Sequence, residues 1–111
     1  MKCSIKYSPT ALRDLDRVMN EVFEPSKDHN ITSKYINDLL DKIEAKRDFP
    51  LPGAPLYYEN LFTGYYFVVF KSYLAFYRFE NKTMYVDRIL YGKSDYMRTL
   101  RMPQEDTEER T

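Results

Sequence analysis

The sequence predicts an α+β domain in which a two-helix hairpin packs on a small, mainly antiparallel sheet of four strands, in the order β-α-α-β-β-β. An alternating stretch near the start is followed by two segments with apolar residues at helical spacing. Three nearly continuous apolar runs in the second half are typical of strands buried on both faces. The length of 111 residues suits one domain with its own core. We place this domain at residues 1–100 and expect the charged residues 101–111 to form a disordered tail.

The N-terminal segment predicts a strand followed by a helix. From Lys2 to Tyr7 polar and apolar residues alternate, as in a half-buried strand near the edge of a sheet. Ser8 and Pro9 favour a helix start, because serine caps the first turn and proline at the first helical position loses no hydrogen bond. The apolar stripe continues to about Phe23. The other face is interpreted as solvent-exposed and carries Arg13, Asp14, Asp16, Arg17 and Glu21.

A second helix completes the predicted hairpin. The polar segment Glu24–Asn30 is expected to be a loop, and its histidine, His29, to be an ordinary solvated side chain. Thr32 is expected to cap the helix and Pro50 to close it. Its apolar stripe comprises Ile36, Leu39, Leu40 and Ile43. The segment Phe49–Leu56, FPLPGAPL, is expected to be a stiff loop that returns the chain to the sheet.

Three strands are predicted at Tyr65–Phe70, Tyr73–Phe79 and Met84–Tyr91. Asn81-Lys82 suits a tight turn, whereas Lys71-Ser72 matches the favoured two-residue turns poorly and predicts a strained or wider one. Because one helical hairpin covers only one face of a sheet, the opposite face is left with apolar side chains. Exposed apolar patches of this size usually bind another chain. A protein partner and a homodimer are both consistent with this pattern.

Composition excludes several classes of function. Lys plus Arg and Asp plus Glu both number 17, which argues against coating nucleic acid by bulk charge. One cysteine, one histidine and the absence of phosphate-loop, dinucleotide and zinc motifs predict neither cofactor nor metal. No segment approaches the roughly 20 apolar residues of a membrane span, so a cytoplasmic location is expected. Cations and phenols near the end of the sheet either hold phosphates or are solvated: Lys71, Arg78, Arg88, Tyr91, Lys93, Tyr96, Arg98 and Arg101.

Several segments resemble the RelE/ParE superfamily, the toxins of bacterial type II toxin–antitoxin systems. The most specific are YSPTALRDL, FPLPGAPL and FYR…VDRILYGKSDY with Leu100, and the likeness spans roughly Lys2–Leu100. The sequence departs from the pattern at three places. Tyr65-Tyr66 stands where relatives often have Tyr-Arg, Gly92-Lys93-Ser94-Asp95 stands in place of Gly-Arg-Arg-Asp, and Tyr91 replaces a histidine found in many members.

The resemblance implies a cytoplasmic toxin that a cognate antitoxin neutralises by wrapping it, which favours this partner over a homodimer. Operator DNA would be bound only through the antitoxin. The expected antitoxin-binding residues, with the exposed face left open, are Tyr66, Val68, Phe70, Leu74, Phe76 and Arg78. The missing arginines favour a ParE-like inhibitor of DNA gyrase. The alternatives are a RelE-like, metal-independent endonuclease that cuts mRNA on the ribosome, with Lys93, Tyr96 and Arg98 as its catalytic residues, or a toxin fold that has lost its activity.

Overall fold

A computed structural model describes residues 4–47 and 54–101, which form a five-stranded sheet with three helices. The elements in chain order are β1 (Ser4–Tyr7), α1 (Pro9–Ser26), α2 (His29–Glu44), β2 (Ala54–Tyr58), β3 (Leu61–Phe70), β4 (Tyr73–Glu80), β5 (Thr83–Tyr91) and α3 (Tyr96–Arg101). A 3-10 turn, Ala45–Arg47, extends α2. The strand order is β1-β5-β4-β3-β2. β1 pairs parallel with β5, and every other neighbouring pair is antiparallel. The predicted α+β class is confirmed, with one strand more than expected.

The larger part of the core lies between the helical hairpin and one face of the sheet, here called the first face. Val18 of α1 and Leu39 and Ile43 of α2 are buried there against the strands. The strand residues of this face that are fully buried are Tyr77, Met84, Val86 and Ile89. Helices with one apolar stripe each can cover this single face, as the sequence predicts.

The second face carries a smaller core, because the chain covers part of it with α3. Leu56, Phe76 and Leu90 are buried there, and Tyr96 and Leu100 of α3 pack against them. The sequence did not predict α3, so the expectation that the rest of the chain covers only one face is wrong at the centre of the sheet. Apolar exposure persists beside α3, where Val69 is 50% exposed.

The polar face of α1 is not simply solvent-exposed, because Asp14 is only 2% exposed. β1 pairs with β5 only as far as Val86, so β5 is an open edge beyond that residue. There the Asp14 carboxylate accepts a hydrogen bond from the Ile89 amide (2.9 Å), and Arg17 donates to the Ile89 carbonyl (2.9 Å). Asp14 also accepts from Arg17 at 2.8 Å and from two nitrogens of Arg88 at 2.9 and 3.2 Å. Asp14 and Arg17 of α1 thus pair with the backbone amide and carbonyl of Ile89, where β5 has no neighbouring strand.

Element boundaries differ from the predictions mainly at helix and hairpin ends. α1 runs on to Ser26 and includes Pro25, and α2 begins at His29 with Asp28 rather than Thr32 as its cap, since the Asp28 carboxylate accepts from Asn30 and Ile31. His29 is therefore helical and stacks on Phe23, with ring centroids 4.6 Å apart. Residues 54–56 of the expected FPLPGAPL loop belong to β2, and the remainder of that loop lies outside the described residues.

The three hairpins turn through residues with positive φ. Glu59 and Asn60 (φ 52° and 68°) join β2 to β3, and Asn81 and Lys82 (φ 52° and 62°) join β4 to β5. At the third turn Lys71 alone has positive φ, at 51°. The turn at Lys71-Ser72 is tight, since β3 ends at Phe70 and β4 begins at Tyr73. It is also strained, because a residue with a Cβ adopts a positive φ at a cost in free energy.

Candidate functional site

A cleft of about 330 Å³ lies where the β3–β4 turn meets the end of β5. We call it the Lys71–Lys93 cleft, after the two cations that line it. Val69 and Leu74 supply its apolar lining, and Tyr91 and Gly92 line it from β5 and the segment that follows. It brings together three members of the cation and phenol set noted in the sequence: Lys71, Tyr91 and Lys93.

Short contacts fix the shape of this cleft. The Gly92 amide donates to the Ser72 carbonyl at 2.7 Å, which ties the end of β5 to the β3–β4 turn. A Cβ on residue 92 would lie 3.0 Å from Leu74 Cδ1 and 3.3 Å from the Ser72 carbonyl oxygen, so glycine allows a close approach here that a larger residue would crowd. The Lys71 ammonium lies 5.5 and 5.7 Å from the ring centroids of Tyr35 and Phe70. Both rings pack against the core of the first face, so these contacts hold the Lys71 ammonium on that face and away from Leu74 on the second face.

The three candidate catalytic residues do not share one cleft. Lys93 lines the Lys71–Lys93 cleft and is exposed. Tyr96 begins α3 and its ring packs on that of Phe76, with centroids 5.3 Å apart, so it forms part of the smaller core. Arg98 lies on the exposed side of α3. Asp95 caps this helix, with its carbonyl and carboxylate accepting hydrogen bonds from Thr99 and Arg98.

The six expected antitoxin-binding residues divide between the two faces of the sheet, so they do not form a single surface. Tyr66, Val68 and Phe70 of β3 lie on the first face, in or against the larger core. Leu74 and Phe76 of β4 lie on the second face. The register explains the division, because Val68 is paired with Ala75 and Phe76 with Phe67. The three expected residues of β3 alternate along that strand and so share one face, and the same holds for the three of β4. Which face of β3 matches which face of β4 depends on how the two strands pair, and the sequence does not determine that register.

Arg78, the sixth of these residues, takes part in a polar network. Its Nε donates to the Asp87 carboxylate at 2.7 Å, and its Nη1 lies 3.0 Å from Glu80. The Tyr65 hydroxyl donates to the same Asp87 carboxylate at 3.1 Å. Burial and the Asp87 charge raise the pKa of Tyr65 to about 12, so the phenol stays protonated at neutral pH. Arg78 is therefore held by two carboxylates beside the smaller core.

Two further surfaces were missed in the sequence. The β2–β3 hairpin exposes Tyr57, Leu61 and Phe62, with Leu61 at 73%. A groove of about 460 Å³ between α1 and α2 is lined by Met19, Phe23, His29 and Ile36, among others. β2 was missed because Pro55 and the prolines before it indicate a loop, and the groove was missed because His29 was expected in a loop.

In residues 4–47 and 54–101, no three His, Cys, Asp or Glu side chains lie close enough together to hold a metal ion. Over the same residues, no helix has both the length and the apolar character needed to span a bilayer.

The fold is similar to that of several solved structures. A chain of the chromosomal ParDE toxin–antitoxin system of P. aeruginosa superposes with a TM-score of 0.69 at 18% identity, covering 81% of this chain and 96% of that one. A chain of the RelBE2 toxin–antitoxin complex of Mycobacterium tuberculosis gives a TM-score of 0.57 at 19% identity, covering 82% and 99%. YafQ of E. coli strain BL21(DE3) gives 0.50 at 17%, covering 81% and 93%. No curated protein sequence matches the chain significantly.

The sequence itself matches a family model over residues 5–96, from within β1 to the first residue of α3. That family is described as the ParE toxin of the type II toxin–antitoxin system parDE. The match covers well over half of the chain and includes every strand that forms the sheet. This chain therefore belongs to the ParE toxin family of type II toxin–antitoxin systems.

Proposed function

We propose that this chain arrests growth by inhibiting DNA gyrase and is neutralised by a cognate antitoxin bound on the second face of its sheet. The observation that carries the choice of target is the position of Tyr96, whose ring is packed on Phe76 instead of facing the Lys71–Lys93 cleft. A metal-independent nuclease needs an acid or base within hydrogen-bond reach of the reacting phosphate. A phenol committed to the core is poorly placed for that role, which favours a toxin that acts by binding.

Two features support an antitoxin on the second face. Two of the similar solved structures are described as toxin–antitoxin systems, one of them as a complex. On this chain, the apolar surface left beside α3 includes Val69, which is 50% exposed, and partly buried Leu74. Because α3 buries Phe76, an antitoxin segment that contacts Leu74, Phe76 and Arg78 together has to replace α3. One that leaves α3 in place contacts Val69 and Leu74 only.

A ribosome-dependent nuclease is the second candidate, and the Lys71–Lys93 cleft favours it. Lys93 and Tyr91 line the cleft and are exposed, and side chains of these types can bind a phosphate and stabilise the charge of a phosphoryl transition state. In that case Lys93 is the central residue, and Arg98 reaches the substrate from α3. A chain that has kept the fold without toxicity is the remaining alternative.

Three assays separate these candidates. Induction of the chain alone should arrest growth, and co-induction of the small protein encoded beside it should restore growth. Purified chain should then abolish supercoiling by gyrase, while primer extension on translated mRNA shows no new ends. Cuts at the ribosomal A site that disappear in Lys93→Ala but persist in Lys82→Ala, with supercoiling unchanged, would overturn the gyrase proposal. Absence of growth arrest would identify a toxin fold without activity.

A further inference from the structure

The outer edge of β2 differs from the other edges of this sheet in carrying no charged side chain. The five residues of β2 and the ten of β3 include no Asp, Glu, Lys or Arg, although 31% of the whole chain is charged. β1, the strand at the other edge, is four residues long and carries the exposed Lys6. The open part of β5 is closed by Asp14 and Arg17. Short strands and charged side chains keep an edge from pairing with another chain, and β2 lacks this charge.

The backbone of Tyr57 is oriented towards this outer edge. Tyr58 and Leu61 flank the two-residue turn between β2 and β3, so they form the hydrogen-bonded pair that closes it. Since hydrogen-bonded and non-hydrogen-bonded pairs alternate in an antiparallel ladder, the N–H and C=O of Tyr57 point away from β3. Among the described residues, no strand lies on that side of β2. Pro55 has no N–H and the register shifts between Pro55 and Tyr57, so a further strand can pair only over a short length near Tyr57.

Large apolar side chains are exposed beside the same backbone. Tyr57 is 58% exposed, Leu61 73% and Phe62 47%. The ring of Phe62 contacts that of Tyr57 (centroids 5.9 Å apart) and that of Tyr66 on the first face (5.4 Å). Since burial of a whole aromatic side chain removes about 150–250 Å² from water, the three exposed side chains leave roughly 300 Å² in contact with solvent. Apolar patches of a few hundred Å² often mark a surface where proteins associate.

We infer that two copies of this chain associate through their β2 edges, with the two strands antiparallel about a two-fold axis that passes beside Tyr57. The Tyr57 N–H of each copy then donates to the Tyr57 carbonyl of the other, because a hydrogen-bonded antiparallel pair exchanges both bonds. The two Tyr57 rings become cross-strand neighbours on the first face, an arrangement that stabilises antiparallel pairs. In this register Glu59 of each copy lies opposite Pro55 of the other, so no like charges meet.

The area and charge of this edge suit a second copy. A two-fold contact needs only that one patch be complementary to itself, and an uncharged strand meets this condition without repulsion. Two copies of the exposed side chains supply roughly 600 Å², and the backbone with the exposed Ala54 and Pro55 brings the total towards the roughly 1,000 Å² of a specific interface. The dimer should therefore be weak, with a dissociation constant in the micromolar range. The contact goes beyond the proposed function and does not depend on it, because β3 separates this edge from the Lys71–Lys93 cleft by about 30 Å.

Sedimentation equilibrium of the full chain, from about 5 μM to about 500 μM, tests this inference. The average mass should rise from 13.4 kDa towards twice that value. Tyr57→Lys and Tyr57→Glu each place two like charges opposite one another at the axis, and each should weaken association at least about tenfold. An equimolar mixture of the two variants should associate again, because lysine then faces glutamate. This recovery excludes misfolding as the cause of the loss and requires that the same residue of both copies meets at the axis.

The matched control is Leu12→Lys, at a similarly exposed apolar residue (51%) on α1, and it should dimerise like the unmodified chain. Four results would overturn the inference: a mass of 13.4 kDa at every concentration, unchanged association of the Tyr57 variants, no recovery in their mixture, or a mass that grows past that of a dimer. A monomeric chain whose Tyr57 amide signal in NMR shifts only when the small protein encoded beside it is added would assign the edge to that protein and would overturn the inference as well.

Discussion

Replacement of Asp14 by alanine should be among the most destabilising single changes in this protein. The carboxylate is 2% exposed and accepts four hydrogen bonds, from Arg17, the Ile89 amide and two nitrogens of Arg88. Alanine would leave the largely buried Arg88 guanidinium without its partner, which typically costs about 3–5 kcal/mol. It would also leave the Ile89 amide unpaired, at about 1–3 kcal/mol. Because the two costs overlap, we expect a loss of about 4 kcal/mol, a large part of the roughly 5–15 kcal/mol of a typical domain.

Urea denaturation followed by far-UV circular dichroism measures this loss. Asp16, exposed on the same helix, provides the matched control, and Asp16→Ala should change the free energy of unfolding by less than about 0.5 kcal/mol. In the double variant Asp14→Ala/Arg88→Met the unpaired charge is gone, so part of the stability should return. If Asp14→Ala unfolds within about 1 kcal/mol of the unmodified chain, the carboxylate does not close the edge of β5 as described.

Three further predictions concern stability. The Tyr77 hydroxyl is buried without a hydrogen-bond partner among the described residues, so Tyr77→Phe should raise the free energy of unfolding by about 1 kcal/mol. Tyr65→Phe loses the hydrogen bond to Asp87 and should lower the free energy of unfolding by a similar amount. The same urea titration measures both changes. Burial raises the pKa of Tyr65 and Tyr77 from 10 to about 12, and the folded chain therefore holds these protons more tightly. The stability that these two protonated phenols add to the folded chain is complete below pH 10 and is lost as the pH rises to 12. The urea midpoint should therefore fall between pH 10 and pH 12, and it should fall less in Tyr77→Phe. A midpoint that stays constant to pH 12 would contradict this. Lys82→Gly should stabilise by about 1 kcal/mol, because Asn-Gly suits a turn with two positive φ angles, and an unchanged melting curve would show that Lys82 is unstrained.

Sequence patterns predicted the elements that rest on periodicity. The stripes of α1 and α2 and the runs of β3, β4 and β5 follow directly from the spacing of apolar residues, and the α+β class follows from their order. β2 was missed because Pro55 and the nearby prolines indicate a loop, and its turn, Glu59-Asn60, lacks the usual glycine. α3 was missed because six residues are too few to display a helical period.

The candidate site was predictable in composition but not in arrangement. The sequence identified Lys71, Tyr91 and Lys93 as members of a set of cations and phenols, and the structure brings these three into one cleft. It could not show that Tyr96 packs into the core, because that depends on the direction the chain takes after Gly92. Nor could it assign Tyr66 and Phe76 to opposite faces, since strand register depends on which residues pair across the sheet.

The pairing of the first strand with the last determines when the protein can fold. Ser8 caps α1 and also donates to the Asp87 carbonyl, 79 residues later in the chain, and β1 pairs with β5. Such distant pairing makes folding slow, because a long loop must close first. During translation, β1 therefore has no partner until β5 has emerged from the ribosome. A protein already present in the cell can meet the nascent apolar strands before the sheet is complete.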